Sequence, residues 1–401
     1  MNGKILIINT VAGIRSTGRI CTDLADLAIK HNFECKVAYG REKIPTKYKS
    51  LAIRIGNGFD NFIDKFMSLL RSNSGFNSKR ATKRFLKKVD DYDPDIIHLH
   101  NLHGFYLNVE MLFDYIKRKN KMVVWTLHDC WGFTGHCTYF QMVGCNKWTH
   151  GCGSCPQVRR YPYGLFDKSS DMFLKKERLF SGVRNLVIVT PSLWLSSLVE
   201  KSFLANYQIE MFHNGVDANS FYPDFCDVRE TYNIQKDKKI VLGVSSSWDA
   251  GKGYYDFIKL SKMLPCDYQI VLVGLTAKQA KNLPFKMIGI RKTNSVDDLR
   301  RLYSIADVFV NPTYEDNYPT VNIEAQMCGT PCITYSTGGS IESVPPENVV
   351  ETGNLDNLCQ KILSICSKTK STIFCPHDFD KAFAFQKYID LYKKIMELKQ
   401  E

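Results

Sequence analysis

An α/β architecture built on two parallel sheets is what this sequence predicts, and three observations carry the expectation. Apolar runs of strand length alternate with helix-period patterns along the chain, the order that feeds parallel strands through helical crossovers. A polar stretch, His213-Asn214-Gly215-Val216-Asp217, interrupts the alternation as a hinge would, and the series then begins again. At 401 residues the chain also exceeds one ordinary hydrophobic core, so two domains are expected.

In the first half, strands are expected at 4–9, 34–39, 95–100 (introduced by Pro94), 122–127 and 186–190. Helices are expected at 17–30, across 59–89, at 107–118 and at 192–202 after Pro191. In the second half, strands are expected at 239–244, 268–273, 286–290, 308–311 and 332–335, with a helix at 253–263. The helix at 320–328 stops at Gly329, with Pro331 just beyond, and a further helix is expected after Gly338-Gly339. The closing helix, about 380–397, carries Phe385, Tyr388, Ile389, Tyr392, Ile395 and Met396 on one face. In such sheets, ligands bind at the carboxyl ends of the strands.

Hydrophobic content of 44% and charged content of 23% are those of a globular protein, and no apolar run approaches a membrane span. The opening run from Ile5 to Ile8 is too short for a signal-peptide core and reads as the first strand. Without an export signal, the 14 cysteines are expected as reduced thiols in a cytoplasmic protein. The net charge of +12 points to an anionic partner. Lys79, Arg80, Lys83, Arg84, Lys87 and Lys88 recur at helical spacing, and upstream Phe59, Phe62, Ile63, Phe66, Met67 and Leu70 fall on one helical face. Together these fit an anionic lipid surface; a solvated basic helix beside a core-facing one is the alternative. No nucleic-acid reading module accompanies the charge, so nucleic acid is not an expected partner.

The segment 314–343 reads as loop, helix, turn, strand and glycine-rich loop. Asp316 and Glu324 stand eight positions apart, one before the helix and one in its second turn. Backbone N–H groups at that helix start favour a diphosphate, through unpaired donors and the helix dipole. A carboxylate beside an anion site suits hydrogen bonds from sugar or ribose hydroxyls, the signature of a nucleotide sugar. Upstream, the strand ending at Val244 runs into Ser245-Ser246-Ser247-Trp248-Asp249-Ala250-Gly251-Lys252-Gly253. A lysine between glycines ahead of a helix can reach a diphosphate, although by itself this is also a surface turn.

In the first half, one strand ends in His128-Asp129, and another carries His98 and His100 on the same side, followed by Asn101 and His103. A strand-end histidine can hold a sugar hydroxyl or be a satisfied core residue. Ser16, Thr17 and Gly18 open the first helix and suit a phosphate or acceptor contact, or simply a fixed turn. No Gly-x-Gly-x-x-Gly dinucleotide fingerprint is formed there, which disfavours oxidoreduction. Cys137, Cys145, Cys152 and Cys155, with His136 and His150 nearby, crowd one loop. Cys152-x-x-Cys155 has knuckle spacing, and the other two thiols would complete a tetrahedral zinc site; four packed reduced thiols are the alternative.

The donor-side motifs resemble those of glycosyltransferase family 4, retaining enzymes of the GT-B fold, and the resemblance runs from Lys4 to the C-terminal helix. The family pattern is Glu, seven residues, Glu, then Ala and a Gly-x-Pro turn. Glu324-Ala325 and Gly329-Thr330-Pro331 match it, and by spacing Asp316 takes the first position, with Glu315 one residue early. Lys252-Gly253 resembles the lysine of the family's Arg…Lys-Gly motif, while Ser246 and Ser247 stand where its arginine would be. Thr126-Leu127-His128-Asp129-Cys130-Trp131, Thr134-Gly135-His136-Cys137 and Cys152-Gly153-Ser154-Cys155-Pro156 resemble a bacterial polysaccharide-biosynthesis subgroup.

The resemblance implies two Rossmann-like domains facing a central cleft. Residues 1–212 would bind the acceptor and contain the Cys-rich loop 130–156, residues 213–380 would bind the nucleotide sugar, and 381–401 would return to the first domain. It implies retaining transfer from a UDP- or GDP-type sugar to a lipid-linked or oligosaccharide acceptor, in capsular, exopolysaccharide or O-antigen biosynthesis, at the inner face of the cell membrane. Catalytic roles fall to His128, Asp316 and Glu324. The donor set is Lys252, Gly253, Ser247, Asn317, Tyr318, Thr320, Val321, Glu324 and Arg291. Ser16, Thr17, Gly18, His100, Asn101 and Asp129 form the acceptor side. No Asp-x-Asp motif stands out, so no catalytic cofactor is expected. Retention then implies same-face transfer, unlike the two-carboxylate scheme of glycosidases. The rivals are a sugar-nucleotide epimerase or phosphorylase on the same fold, and a zinc-stabilised binding or scaffold protein with a decayed site.

Overall fold

The computed structural model describes residues 3–368 and 377–398. Cys375 and residues 399–401 of the expected closing segment lie outside them. The chain divides into two compact units, Met1–His213 with Phe385–Glu401, and Asn214–Ala384.

The first unit runs β1 (Lys4–Asn9), α1 (Arg15–Lys30), β2 (Glu34–Tyr39), β3 (Ala52–Arg54), α2 (Gly58–Arg71), α3 (Lys79–Tyr92) and β4 (Ile96–Leu99). It continues with α4 (Val109–Lys119), β5 (Met122–Thr126), α5 (Ser169–Phe180), β6 (Leu186–Thr190), α6 (Leu193–Val199) and β7 (Gln208–Met211). The strands form one parallel sheet in the order β3-β2-β1-β4-β5-β6-β7. Consecutive residues Ile5, Leu6, Ile7 and Ile8 are all fully buried, so the sheet is covered on both faces, which is why its strands read as unbroken apolar runs. Strand order reverses between β1 and β4, the switch point where such sheets open a ligand crevice.

The second unit runs β8 (Lys239–Val244), α7 (Tyr254–Met263), β9 (Tyr268–Val273), α8 (Ala277–Lys281), β10 (Met287–Ile290), α9 (Val296–Ile305) and β11 (Val308–Asn311). Then follow α10 (Thr320–Met327), β12 (Cys332–Tyr335), β13 (Val349–Val350) and α11 (Leu355–Cys366). Its parallel sheet is ordered β10-β9-β8-β11-β12-β13, with the switch point between β8 and β11. The last helix, α12 (Lys381–Leu398), belongs from Phe385 onward to the first unit. There Tyr388, Ile389 and Tyr392 are buried, and Tyr392 Oη lies 2.6 Å from His98 Nδ1 on β4.

Two local readings are corrected and one open choice is decided. The helical stretch expected across 59–89 is two helices, parted after Ser72, which adopts a left-handed conformation; at Gly75 (φ +88°) a Cβ would meet the Trp131 ring at 2.9 Å. No α-helix opens directly after Gly338-Gly339. The chain makes a single 3₁₀ turn, Ser340–Ser343, and becomes extended at Val344, as a residue ahead of proline prefers. Of the two readings of α2, the core-facing one is set aside. The buried residues of this helix are Asp64 and Ser68, joined to Asn77 and Ser78, whereas Phe59, Phe62 and Phe66 are 71%, 68% and 53% exposed.

Candidate active site

The loops that leave β8 and β11 meet at the switch point of the second sheet. Lys252 reaches across, its Nζ lying 2.6 Å from Asp316 Oδ2 and 3.2 Å from the Glu315 carbonyl oxygen. Backbone bonds hold the two loops in register, with the Tyr314 N–H donating to the Gly251 carbonyl at 2.8 Å. Gly253 has φ +70°, and a Cβ there would stand 2.2 Å from the Pro312 carbonyl oxygen, so only glycine permits this approach. Behind the Asp316 loop, the hydroxyls of Tyr314 and Tyr335 both donate to Asp256 Oδ2, at 2.8 and 3.0 Å.

Helix α10 starts at Thr320 with Pro319 as N-cap, no side-chain cap and no acidic residue in its first turn. Thr320 and Val321 are half-buried there, so the helix start keeps donors and positive dipole for an anion. Asn317 and Tyr318 are buried in the approach loop; the Asn317 N–H donates to Asp316 Oδ1 at 2.9 Å. Glu324 is buried one turn further on, its Oε2 accepting from the Tyr303 hydroxyl at 3.0 Å. Asn322 fixes the helix by accepting from Asn311 Nδ2 at 2.8 Å and donating to the Ser340 and Ser343 hydroxyls. Ser247 is exposed in the turn after β8, where its N–H donates to Ser245 Oγ at 3.3 Å. Arg291 stands exposed beyond the end of β10, two strands away from β8, and is not joined to the Lys252–Asp316 pair.

The first unit gathers its predicted residues at its own switch point. Asn9, buried at the end of β1, donates to Thr17 Oγ1 at 3.3 Å and accepts from the Asn101 N–H at 3.2 Å. Gly18 is buried and Ser16 exposed at the start of α1. His100 Nδ1 and His128 Nε2 are 2.8 Å apart with stacked rings, and His100 Nε2 is buried without a hydrogen-bond partner. His98 is not aimed at a ligand: it is locked between Tyr392 and the Thr126 hydroxyl, at 2.6 and 2.8 Å. Burial draws His98 down to about 3, with His128 adding to the effect, and draws His128 to about 4 against the opposing charge of Asp129. Burial pushes Asp129 up, but the charge and 2.7 Å contact of His103, the Trp131 N–H and the charge of His128 together hold the carboxyl below its ordinary range.

Asn9, Tyr303 and Asp256 were not among the predicted site residues. Each is an inward-facing polar residue beside a strand or on a helix, and its only sequence signal is a polar break in an otherwise buried pattern. The described cysteines are free thiols, and no group of three or more His, Cys, Asp or Glu among the described residues converges on a metal position.

The family model described as Glycosyltransferase Family 4 matches residues 17–220, and that described as Glycosyl transferases group 1 matches residues 225–372. The putative colanic acid biosynthesis glycosyl transferase WcaC of Escherichia coli K12 is 28% identical over 62% of this chain. An N,N'-diacetylbacillosaminyl-diphospho-undecaprenol α-1,3-N-acetylgalactosaminyltransferase of Campylobacter jejuni is 24% identical over 46% of it. The chain spans 62% and 53% of the lengths of these two relatives. Among solved structures, sucrose-phosphate synthase from Thermosynechococcus elongatus superposes over 99% of this chain and all of its own, with a TM-score of 0.74 at 18% identity. Anabaena HepE in complex with UDP covers 98% of this chain and all of its own, with a TM-score of 0.65 at 13% identity. These likenesses give the architecture, two parallel-sheet units of the GT-B type. The match across most of the first unit gives the family: the chain belongs to Glycosyltransferase Family 4.

Proposed function

We propose that this protein is a retaining glycosyltransferase that moves a sugar from a nucleoside-diphosphate sugar to a lipid-linked precursor in bacterial surface-polysaccharide synthesis. The observation that carries the reading is the Lys252–Asp316 pair at the switch point, beside the uncapped start of α10. An ammonium and a helix N-terminus together offer a positive site for a departing diphosphate. In the structure Asp316 is paired with Lys252. When the diphosphate takes over the lysine, Asp316 is released to accept hydrogen bonds from the donor sugar. Glu324, braced by Tyr303, takes the ribose hydroxyls, and His128, braced by His100, the transferred sugar. The UDP held by HepE and the diphospho-undecaprenol acceptor named for the Campylobacter relative support the same substrate classes.

A membrane setting is part of the proposal. The outward apolar face of α2 is joined to basic α3 by an Arg84–Asp60 pair at 3.2 Å. Phe166, 63% exposed, is tied to the end of α2 by its N–H to Ser72 Oγ. Aromatic side chains flanked by lysine and arginine suit insertion among anionic headgroups. Among the described residues, no helix is long and apolar enough to cross a membrane.

The test is a transfer assay with a panel of UDP- and GDP-sugars and a diphosphate-linked polyprenyl sugar acceptor, with the anomeric configuration of the product read by NMR. Transfer with retained configuration is expected. Inversion, or the absence of any sugar transfer across the panel, contradicts the proposal.

A further inference from the structure

Between β5 and α5 the chain runs through residues 127–168 with only short 3₁₀ turns, a length at which a loop needs an internal fastening or a function. Cys137, Cys145, Cys152 and Cys155 line one cavity in this loop, together with His136, Lys147 and Trp148. Its volume is about 20 Å³, room for roughly one small sphere. We propose that this cavity is a structural zinc site, with the four thiolates as its ligands.

The cavity is partly organised for that ion. Cys137 Sγ and Cys155 Sγ are 3.8 Å apart. A tetrahedron with zinc–sulfur bonds of about 2.3 Å has sulfur–sulfur edges of about 3.8 Å, so one edge already stands at ligand spacing. Cys152 Sγ accepts the Gly135 N–H at 3.2 Å, a bond that stabilises a thiolate. A Cβ on Gly135 would lie 2.0 Å from the Ser169 carbonyl oxygen, so glycine is what brings this N–H to the sulfur. Because three donors do not yet converge, binding has to draw Cys145 and Cys152 inward onto the edge that Cys137 and Cys155 form.

An independent observation supplies the charge argument. Lys176 on α5 is buried, donates to the carbonyl oxygens of Trp131 and Thr134 at 2.8 and 2.9 Å, and lies over the Trp131 ring. Among the described residues it forms no ion pair with a carboxylate, and burial disfavours its charged form, so it lacks a close counter-charge. Four thiolates around a divalent ion carry a net charge of −2 and provide that counter-charge. Lys147, on the cavity wall, adds a second cation, held by the Gly153 and Ser154 carbonyl oxygens. Soft sulfur donors in tetrahedral array select zinc over magnesium or calcium.

The test uses the whole protein, purified without metal-affinity resin. Elemental analysis is expected to find about one zinc per chain. Cobalt exchanged into the site should give the intense visible bands of a tetrahedral thiolate complex. A Cys152→Ser, Cys155→Ser double variant should lose the ion and melt at lower temperature; if it does not fold, the cobalt spectrum of the native protein decides. Native protein that is metal-free, takes up neither zinc nor cobalt and keeps its melting temperature when zinc is added overturns the proposal. So does a double variant that retains the metal.

Discussion

Lys252 Nζ lies 2.6 Å from Asp316 Oδ2, a pair that links side chains of the two loops already held in register by the Tyr314–Gly251 backbone bond at the switch point of the second sheet. The lysine side chain is 32% exposed and the aspartate 18%, so water weakens their attraction and the pair contributes little to stability. The pair's significance is functional: it holds a cation and a carboxylate beside a helix start that has no cap. Lys252→Ala should therefore leave the melting temperature within a few degrees of wild type. A charged hydrogen bond to phosphate contributes on the order of 1.5–3 kcal/mol, so nucleotide affinity should fall about 10- to 150-fold. Calorimetric titration of the variant checks this; unchanged affinity removes Lys252 from the diphosphate site.

Tyr303 is fully buried and its hydroxyl donates to Glu324 Oε2 at 3.0 Å. Tyr303→Phe keeps the ring but withdraws one donor from a buried carboxyl, a change that costs about 1–3 kcal/mol of stability. Glu324→Ala should instead abolish turnover in protein that still folds. Urea denaturation and turnover measured on the same samples separate the two effects. If Tyr303→Phe is as stable as wild type, the brace is not what holds Glu324.

Much of this arrangement was legible in the sequence, because it rests on local patterns. Strand β1, the turn at Gly329 and the Lys252-Gly253 and Asp316–Glu324 spacings each depend on a few adjacent residues. What was not legible depends on packing between distant segments. Helix α5, in the long stretch that follows β5, is not among the expected helices, yet it brings Lys176 to the carbonyl oxygens of Trp131 and Thr134 in the cysteine-rich loop. The outward apolar face of α2 could not be read from periodicity, which shows that a helix has two faces but not which one meets the core. The inward face is polar because Asp64 caps a network with Ser68, Asn77 and Ser78. The Asn9 clamp is likewise a contact between residues 92 positions apart.

Acid should destabilise the first unit through its histidines. In the fold, burial draws His98 to about 3 and His128 to about 4, whereas unfolded histidine titrates near 6.5. Between about pH 6.5 and 4 the unfolded chain therefore binds protons that the folded chain refuses, so stability falls as pH drops through that window. The imidazole resonances of His98 and His128 should remain those of neutral rings at pH 5. Protonation of both rings at pH 6 would contradict the burial account.

Membrane docking should respond to both parts of the α2–α3 surface. Phe62→Ser with Phe66→Ser should reduce binding to anionic vesicles at any salt, since apolar insertion is not screened. Neutralising Lys79, Arg80, Lys83 and Arg84 should weaken it at low salt and little at high salt, each charge contributing on the order of 1 kcal/mol near the surface. Cosedimentation equal to wild type in both variants would leave α2 without a lipid partner.

The central claim, a nucleoside-diphosphate site built by Lys252 and the start of α10, is tested most directly by titrating UDP and GDP into the wild-type protein and into Lys252→Ala. The account predicts saturable binding of one nucleotide to the wild type. At ligand concentrations near 100 times the dissociation constant, this should stabilise the fold by about 2.7 kcal/mol. Lys252→Ala should lose most of that gain at the same concentration. Wild-type protein that binds neither nucleotide, or a variant that binds as tightly as the wild type, would contradict it.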